Sequence, residues 1–418
     1  MWFQSNVFSD ILIKMSTVLV STEKMVFGGD CIAKIDGKTI FVPYAIPGEK
    51  LEVEITKDTR DYSTAQIVSI IEPSPHRVKP LCPYYGQCGG CNMQHISAEY
   101  QEELRSSILK DAFLRAGVTP PEIQVVSGPA FGYRSRFQLH DGGLMQKKSN
   151  NIIPIDSCPC ASDEINEYLR TVPVSERPKG RCHIFGSDKA GGKVIVAKEE
   201  NNFPEQKTEK SAKGKKNRKP VRRFTGTSPV PENTCTVSLC GKNISFDVKG
   251  FFQSNMTVLE KAIPLITGGI EGNACLDMYS GCGTFSVFLC DSFNNLTLVE
   301  HNRDALVQAE QNLCGSRHES YGLSGETWAK YHAETCVKSN GGYDAAVVDP
   351  PRSGMEKEVC KWLCSSSIPR INSLSCDIAT HARDASFLIK AGYEMKALYL
   401  LDFYPQTSHI ESLAVFEK

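Results

Sequence analysis

"CLDMYSGCGTFSVFL" (Cys275–Leu289) decides the reading of this chain. An apolar run reaches Met278, two glycines follow at Gly281 and Gly283, and a second apolar stretch begins at Phe285. That is the pattern of a strand, a tight turn and a helix. Gly281 and Gly283 let the backbone approach a ligand closely at the helix N-terminus. The next apolar run, "LTLVE", closes on Glu300, nineteen residues beyond Gly281. An acid at that place can hydrogen-bond the two hydroxyls of a ribose. "RDALVQAEQNL" (Arg303–Leu313) reads as a helix and "YDAAVVDPP" (Tyr343–Pro351) as a strand entering a turn. From Asn273 onward the alternation predicts a doubly wound α/β unit.

The turn motif points to a nucleoside-containing cofactor. A dinucleotide fingerprint wants a third glycine three residues after Gly283, and Ser286 stands there. S-adenosylmethionine (SAM) carries a ribose and an adenine but no pyrophosphate, so the shorter motif suits it better. "VVDPPRSG" (Val347–Gly354) adds a carboxylate, Asp349, at a strand's C-terminal end before a rigid Pro-Pro turn. Such sheets bind their ligands at that edge.

Upstream the pattern changes. "GDCIAKIDGKTIFVPYAIPGEKLEVEIT" and "DYSTAQIVSII" alternate apolar and polar residues around Asp-Gly and Pro-Gly turns. Short strands at this spacing predict a small β-domain, either a generic one or an oligonucleotide-binding barrel. "SAEYQEELRSSILKDAFLRAG" reads as an amphipathic helix stopped by Gly117. "CPYYGQCGGC" spaces Cys82, Cys88 and Cys91 as C-x5-C-x2-C, with Cys158 and Cys160 downstream as candidates for a fourth ligand. Structural zinc usually uses paired CxxC knuckles. Three clustered thiols and a distant one fit an iron–sulfur cluster better. "KTEKSAKGKKNRKPVRR" (Lys207–Arg223) has nine basic residues and one acid, and reads as a solvated loop or an RNA contact.

The chain has 418 residues, a net charge of −1 and 17 cysteines. Its length predicts two or three domains. An odd and large cysteine count suits a reducing compartment. "MWFQSNVFSDILIKM" makes a poor signal peptide, Met15 is an alternative start, and no apolar run reaches membrane-spanning length. A cytoplasmic protein without a membrane or an obligate protein partner is expected.

In this order the motifs closely resemble the SAM-dependent RNA (uracil-5-)-methyltransferases, in the iron–sulfur branch that modifies ribosomal RNA. The resemblance implies a TRAM-like β-barrel of the oligonucleotide-binding type over 16–73. It further implies a central α+β RNA-binding domain with a 4Fe–4S cluster over 74–240, and a Rossmann-like methyltransferase domain over 241–418. It implies cluster ligands Cys82, Cys88, Cys91 and Cys158, the last because the family's fourth ligand precedes a proline. "FFQSN" implies a cofactor contact at Gln253, and Tyr279, Glu300 and Asp349 match the other positions of the SAM pocket. "SCD" implies a nucleophile at Cys376, and "HIESLAVFEK" a base at Glu411. Ile378, His381 and Ser280 depart from the family's usual Pro, Leu and Cys.

The implied reaction explains the residue types. Carbon 5 of uracil does not attack a methyl sulfonium unaided; a thiolate adding at carbon 6 makes it a carbanion equivalent. After transfer a base must remove the proton at carbon 5 before the thiolate can leave. The uridine must leave its stack, so the expected substrate is single-stranded, looped or flipped within a structured RNA. The resemblance to the iron–sulfur branch implies ribosomal before transfer RNA. An RNA cytosine-5 methyltransferase would carry Pro-Cys where this chain has Ser375-Cys376, and an amine-directed enzyme an aromatic where it has Arg352. A non-catalytic SAM- or RNA-binding protein would not need Cys376, Glu411 and Asp349 together.

Overall fold

The computed structural model describes residues 17–199 and 229–418; the initial segment and the basic stretch Lys207–Arg223 lie outside the described residues. The first 56 described residues form a six-stranded sheet in the order Thr17–Ser21, Lys50–Asp58, Tyr62–Glu72, Lys38–Val42, Cys31–Ile35, Lys24–Met25. All neighbours are antiparallel except Lys38–Val42 with Tyr62–Glu72. Strand alternation puts Cys31, Ala33, Ile40, Val42, Leu51 and Val53 inside. Arg77 clamps the buried Glu49 carboxylate at 2.5 and 2.7 Å, fastening this unit to the chain that follows.

The largest sheet has eight strands in the order His318–Tyr321, Phe293–Val299, Gly272–Met278, Ala345–Val348, Arg370–Ser375, Glu411–Glu417, Glu394–Leu401, Ile123–Val126. Only Glu411–Glu417 runs against its neighbours. The strand "AAVV" is buried throughout, as a central parallel strand covered on both faces must be. Ala346 and Val348 pack into one core, which extends to Leu104 and Val53. Ala345 and Val347 pack into the other.

Helix Ala98–Arg115 forms as its periodicity predicts, burying Leu104, Ile108, Leu109 and Phe113 on one stripe, and Gly117 with φ +76° follows its end. The same stripe carries two polar residues, Gln101 and Arg105, both buried. Buried polar groups need partners. Arg105 forms a bidentate pair with Asp402 (2.6 and 2.7 Å), next to the last two strands of the sheet. Helix Ala98–Arg115 and strand Ile123–Val126 therefore pack with the C-terminal sheet, although they lie far from it in sequence. A three-stranded sheet (Arg136–His140, Arg181–Gly186, Val194–Lys198) contributes to a third core, against which Tyr84, Cys88 and Cys158 pack. Among the described residues no helix is long and apolar enough to cross a membrane.

Candidate active site and cysteine pocket

The Gly-rich turn follows strand Gly272–Met278, and its Tyr279 and Ser280 N–H groups donate to Val299 O (2.8 and 3.2 Å) at the end of the neighbouring strand. Gly283 has φ +78°, and a Cβ there would lie 3.1 Å from the Ala309 Cβ, so helix Arg303–Asn312 closes directly on the turn. Gly281 has φ +56° with open space where a side chain would be. The following helix is shorter than the sequence suggests, four residues from Ser286 to Leu289. Glu300 accepts from Gly281 N at 3.0 Å and Asn302 N at 2.6 Å, which fixes its carboxylate at the turn. Tyr279, at φ +66°, donates its hydroxyl to Glu356 at 3.1 Å.

Asp277 is an acid the sequence reading passed over. It is buried on the first strand, accepts from the Ser286 hydroxyl, and burial pushes its carboxyl up to about 6. Its position at the end of a strand opening a Gly-rich turn was the available signal. Asp277 Oδ1, Ser280 Oγ and Gln253 Oε1 are buried and lack hydrogen-bond partners among the described residues. This polar capacity fits a nucleoside cofactor.

Asp349 follows strand Ala345–Val348, held by its N–H on Met278 O at 3.2 Å. Burial, then the charges of Asp277 and Glu300, raise it to about 7. Cys376 follows strand Arg370–Ser375, and Asp377 caps the next helix through Ala379 N and Thr380 N. The cap fixes where the chain turns and hence where Cys376 stands. Glu411 opens the reversed strand. The register pairs Ser375 with Ser412, so the residues flanking that rung, Cys376 and Glu411, meet at one end. Burial raises the Cys376 thiol, and Glu411 is close enough for its charge to raise it further. Burial and Asp349 raise Glu411 to about 8, opposed by a contact from Gln253 Nε2 at 3.5 Å and by Arg352. Cys376, Glu411, Asp349 and Gln253 thus lie together, and the charge of Glu300 reaches Asp349. Tyr404, Arg352 and exposed His409 border this group.

Ile378 and His381 lie behind Cys376. Ile378 is buried, and buried His381 pairs its Nδ1 with Ser412 Oγ at 2.7 Å, packs edge-on against Phe113 and is held neutral by burial.

Cys82, Cys88, Cys91, Cys158 and Cys160 all line a pocket of about 370 Å³, with Tyr84, Tyr85 and Arg134. Cys91 and Cys160 sulfurs are 3.7 Å apart, and Gly90 N donates to Cys88 Sγ at 3.4 Å. Among the described residues no three His, Cys, Asp or Glu side chains converge closely enough to hold a single metal ion. Segment Tyr133–Arg136 links the cysteine pocket to the residue after Gln253, bonded to Cys160 O through Arg134 N (2.7 Å) and to Ser254 O through Ser135 N (2.8 Å).

A Rossmann-like sheet with a Gly-rich turn after its central strand, and an appended N-terminal β-unit, is the layout of a methyltransferase fold. The comparisons narrow this. The TRAM domain family matches residues 14–68, and the tRNA (Uracil-5-)-methyltransferase family matches residues 337–418. An uncharacterized RNA methyltransferase of Treponema denticola is 38% identical, over 97% of this chain and 100% of its own. The 23S rRNA (uracil(1939)-C(5))-methyltransferase RlmD of Shewanella sp. MR-4 is 27% identical over 93% of each chain. The crystal structure of Pyrococcus abyssi tRNA (uracil-54, C5)-methyltransferase with S-adenosyl-L-homocysteine shares the fold, with a TM-score of 0.70 at 24% identity, over 96% of this chain and 100% of that one. The chain belongs to the RNA (uracil-5-)-methyltransferase family, SAM-dependent enzymes, and carries a TRAM domain.

Proposed function

We propose that this enzyme methylates carbon 5 of a uridine in structured RNA through a covalent adduct, with Cys376 as nucleophile and Glu411 as base. One observation carries the reading: the Ser375–Ser412 rung gathers Cys376 and Glu411, 35 positions apart, beside Asp349 and Gln253. Cys376 adds as thiolate to carbon 6, leaving electron density at carbon 5. SAM supplies the methyl group that this carbon takes. Glu411 then removes the carbon-5 proton, the double bond re-forms and Cys376 leaves as thiolate. Gln253 and Arg352 favour the ionised form of Glu411 that the last step needs. Glu300 would hold the ribose of the cofactor, with Tyr279, Gln253 and Asp349 completing its site. 23S ribosomal RNA is the favoured substrate, because RlmD relatives of nearly full length act there by name.

The reading keeps a division at 16–73, 74–240 and 241–418, with helix Ala98–Arg115 and strand Ile123–Val126 lent to the methyltransferase sheet. The N-terminal sheet then serves as an oligonucleotide-binding-type RNA module. Cys82, Cys88, Cys91 and Cys158 hold a 4Fe–4S cluster in this reading. The donor set is all thiol, it surrounds one pocket, and a cubane spreads its ligands farther than a single ion does. The cluster would cross-link the segment that carries it.

The test is methyl transfer to 23S rRNA fragments containing candidate uridines, followed by mapping of 5-methyluridine. Cys376→Ala should transfer no methyl while binding SAM like the parent. Transfer by that variant would remove Cys376 from the mechanism.

A further inference from the structure

Glu411 is delivered by the segment Asp402–Ile410, which turns through Gln406, a non-glycine residue at φ +68°. That conformation is strained for a residue with a side chain, so something must hold it. Gln101 pairs with Gln406 on both sides: Gln406 N donates to Gln101 Oε1 and Gln101 Nε2 to Gln406 Oε1, each at 3.0 Å. The N–H groups of Asn92 and Met93 both donate to Gln406 O, at 3.2 and 3.0 Å. The Asn92 side chain does more. Its Oδ1 accepts from Ser408 N at 2.8 Å, and its Nδ2 donates to Ser408 Oγ and to Gly28 O, each at 2.9 Å. A Cβ on Gly29 would lie 2.7 Å from Asn92 Nδ2 and 3.0 Å from Ser408 Cβ, so the turn of the N-terminal sheet closes on the same contact. Asn92 follows Cys91, whose sulfur faces the cysteine pocket.

We infer that Asn92 is a positioning residue for the reaction. It ties the cysteine segment and the N-terminal turn at Gly28 to Ser408, three residues before Glu411, and so sets where the carboxylate stands. The inference rests on the reading of Glu411 as the base. It assigns the cysteine segment a part in proton removal as well as in holding RNA. Neither Asn92 nor Ser408 reaches the reacting atoms; they act through the path of the loop.

The step Asn92 serves can be isolated. RNA with 5-fluorouridine at the target offers no proton at carbon 5, so Cys376 forms a trapped, methylated adduct without a base. Asn92→Ala should form that adduct at the parental rate and bind SAM and RNA as the parent does. On ordinary RNA its turnover should fall roughly tenfold or more, because a misplacement of about 1 Å at a reacting group costs up to about 10²-fold. Adduct to ordinary RNA should build up, and Asn92→Asp, which keeps the acceptor for Ser408 N–H, should recover most of the turnover. Unchanged turnover, or an equal loss of 5-fluorouridine trapping and turnover, overturns the inference. If Asn92→Ala does not fold, Ser408→Ala removes one of the bonds at a half-buried position and should give the same split at smaller amplitude; equal losses there overturn it too. Normal turnover by Glu411→Gln would instead sink the reading of Glu411 itself.

Discussion

Ser375 and Ser412 face each other on the last rung of the antiparallel ladder, and the residues just outside that rung are Cys376 and Glu411. A reversed strand makes this possible. In parallel neighbours the C-terminal ends lie side by side, so a residue that starts a strand is far from one that ends its neighbour. Because Glu411–Glu417 alone runs backwards, its first residue meets the end of Arg370–Ser375. Backbone pairing brings the proposed nucleophile and the proposed base together, and the loop before Glu411 sets where its carboxylate stands.

Glu411→Gln separates the two halves of the reaction. Thiol addition and methyl transfer do not need the base, while elimination does. The variant should accumulate an RNA–protein adduct that survives denaturation and carries the transferred methyl, seen as a shifted, labelled band in a denaturing gel. Cys376→Ala combined with Glu411→Gln should show none; adduct in the double variant would point to another cysteine.

The pH dependence follows from the same pair. Both groups work deprotonated, and both are raised, Glu411 to about 8. Single-turnover rates should therefore climb from about pH 6 to about pH 9. Stability runs the other way. Glu411 titrates near 4.5 when exposed and near 8 when folded, so its contribution is full below about 4.5 and is lost as pH rises through about 8. Glu411→Gln should lose this component, and its melting temperature should exceed the parent's most clearly at and above pH 8. Equal melting temperatures there would place the carboxylate in a more solvated setting.

Arg105 and Asp402 form a buried bidentate pair that joins helix Ala98–Arg115 to the loop before Glu411. Removing one partner of such a pair leaves an uncompensated charge and costs about 3–5 kcal/mol. Arg105→Ala should show that loss in urea unfolding. A smaller loss is expected for the double replacement Arg105→Leu with Asp402→Leu, which buries no lone charge.

Gly283 combines a positive φ with a close neighbour, Ala309. Gly283→Ala should destabilise the protein by about 1–2 kcal/mol from backbone strain, with crowding against Ala309 adding to it. It should also weaken SAM binding, because the strained turn and Gly281 move together. Calorimetric titration with SAM or S-adenosylhomocysteine measures this directly.

Iron and sulfide analysis after anaerobic purification tests the cysteine pocket. Cys158→Ala should lose the cluster and its visible absorption, and Cys160→Ala should keep most of it. The opposite pattern would make buried Cys160 the fourth ligand, and stoichiometric zinc without iron would replace the cluster by a different centre.

What the sequence determined by itself was local. The alternation in "EKLEVEIT" and the all-apolar "AAVV" set strand faces, because side-chain direction repeats every two residues. Two glycines and an acid nineteen residues later pointed to a nucleoside site at the Gly-rich turn. Other relationships had no local trace. Gln101 and Arg105 sit in the helix stripe where apolar residues belong, and only the fold supplies Gln406 and Asp402 to satisfy them. Asn92 looks like any polar residue beside a cysteine until Ser408, 316 positions away, closes on it. Pairing Cys376 with Glu411 required the direction and register of the last strand. A shift of one residue would turn Glu411 to the other face of the sheet. Such long-range pairings are decided by the joint burial of whole elements, so tertiary structure alone could bring the two residues together.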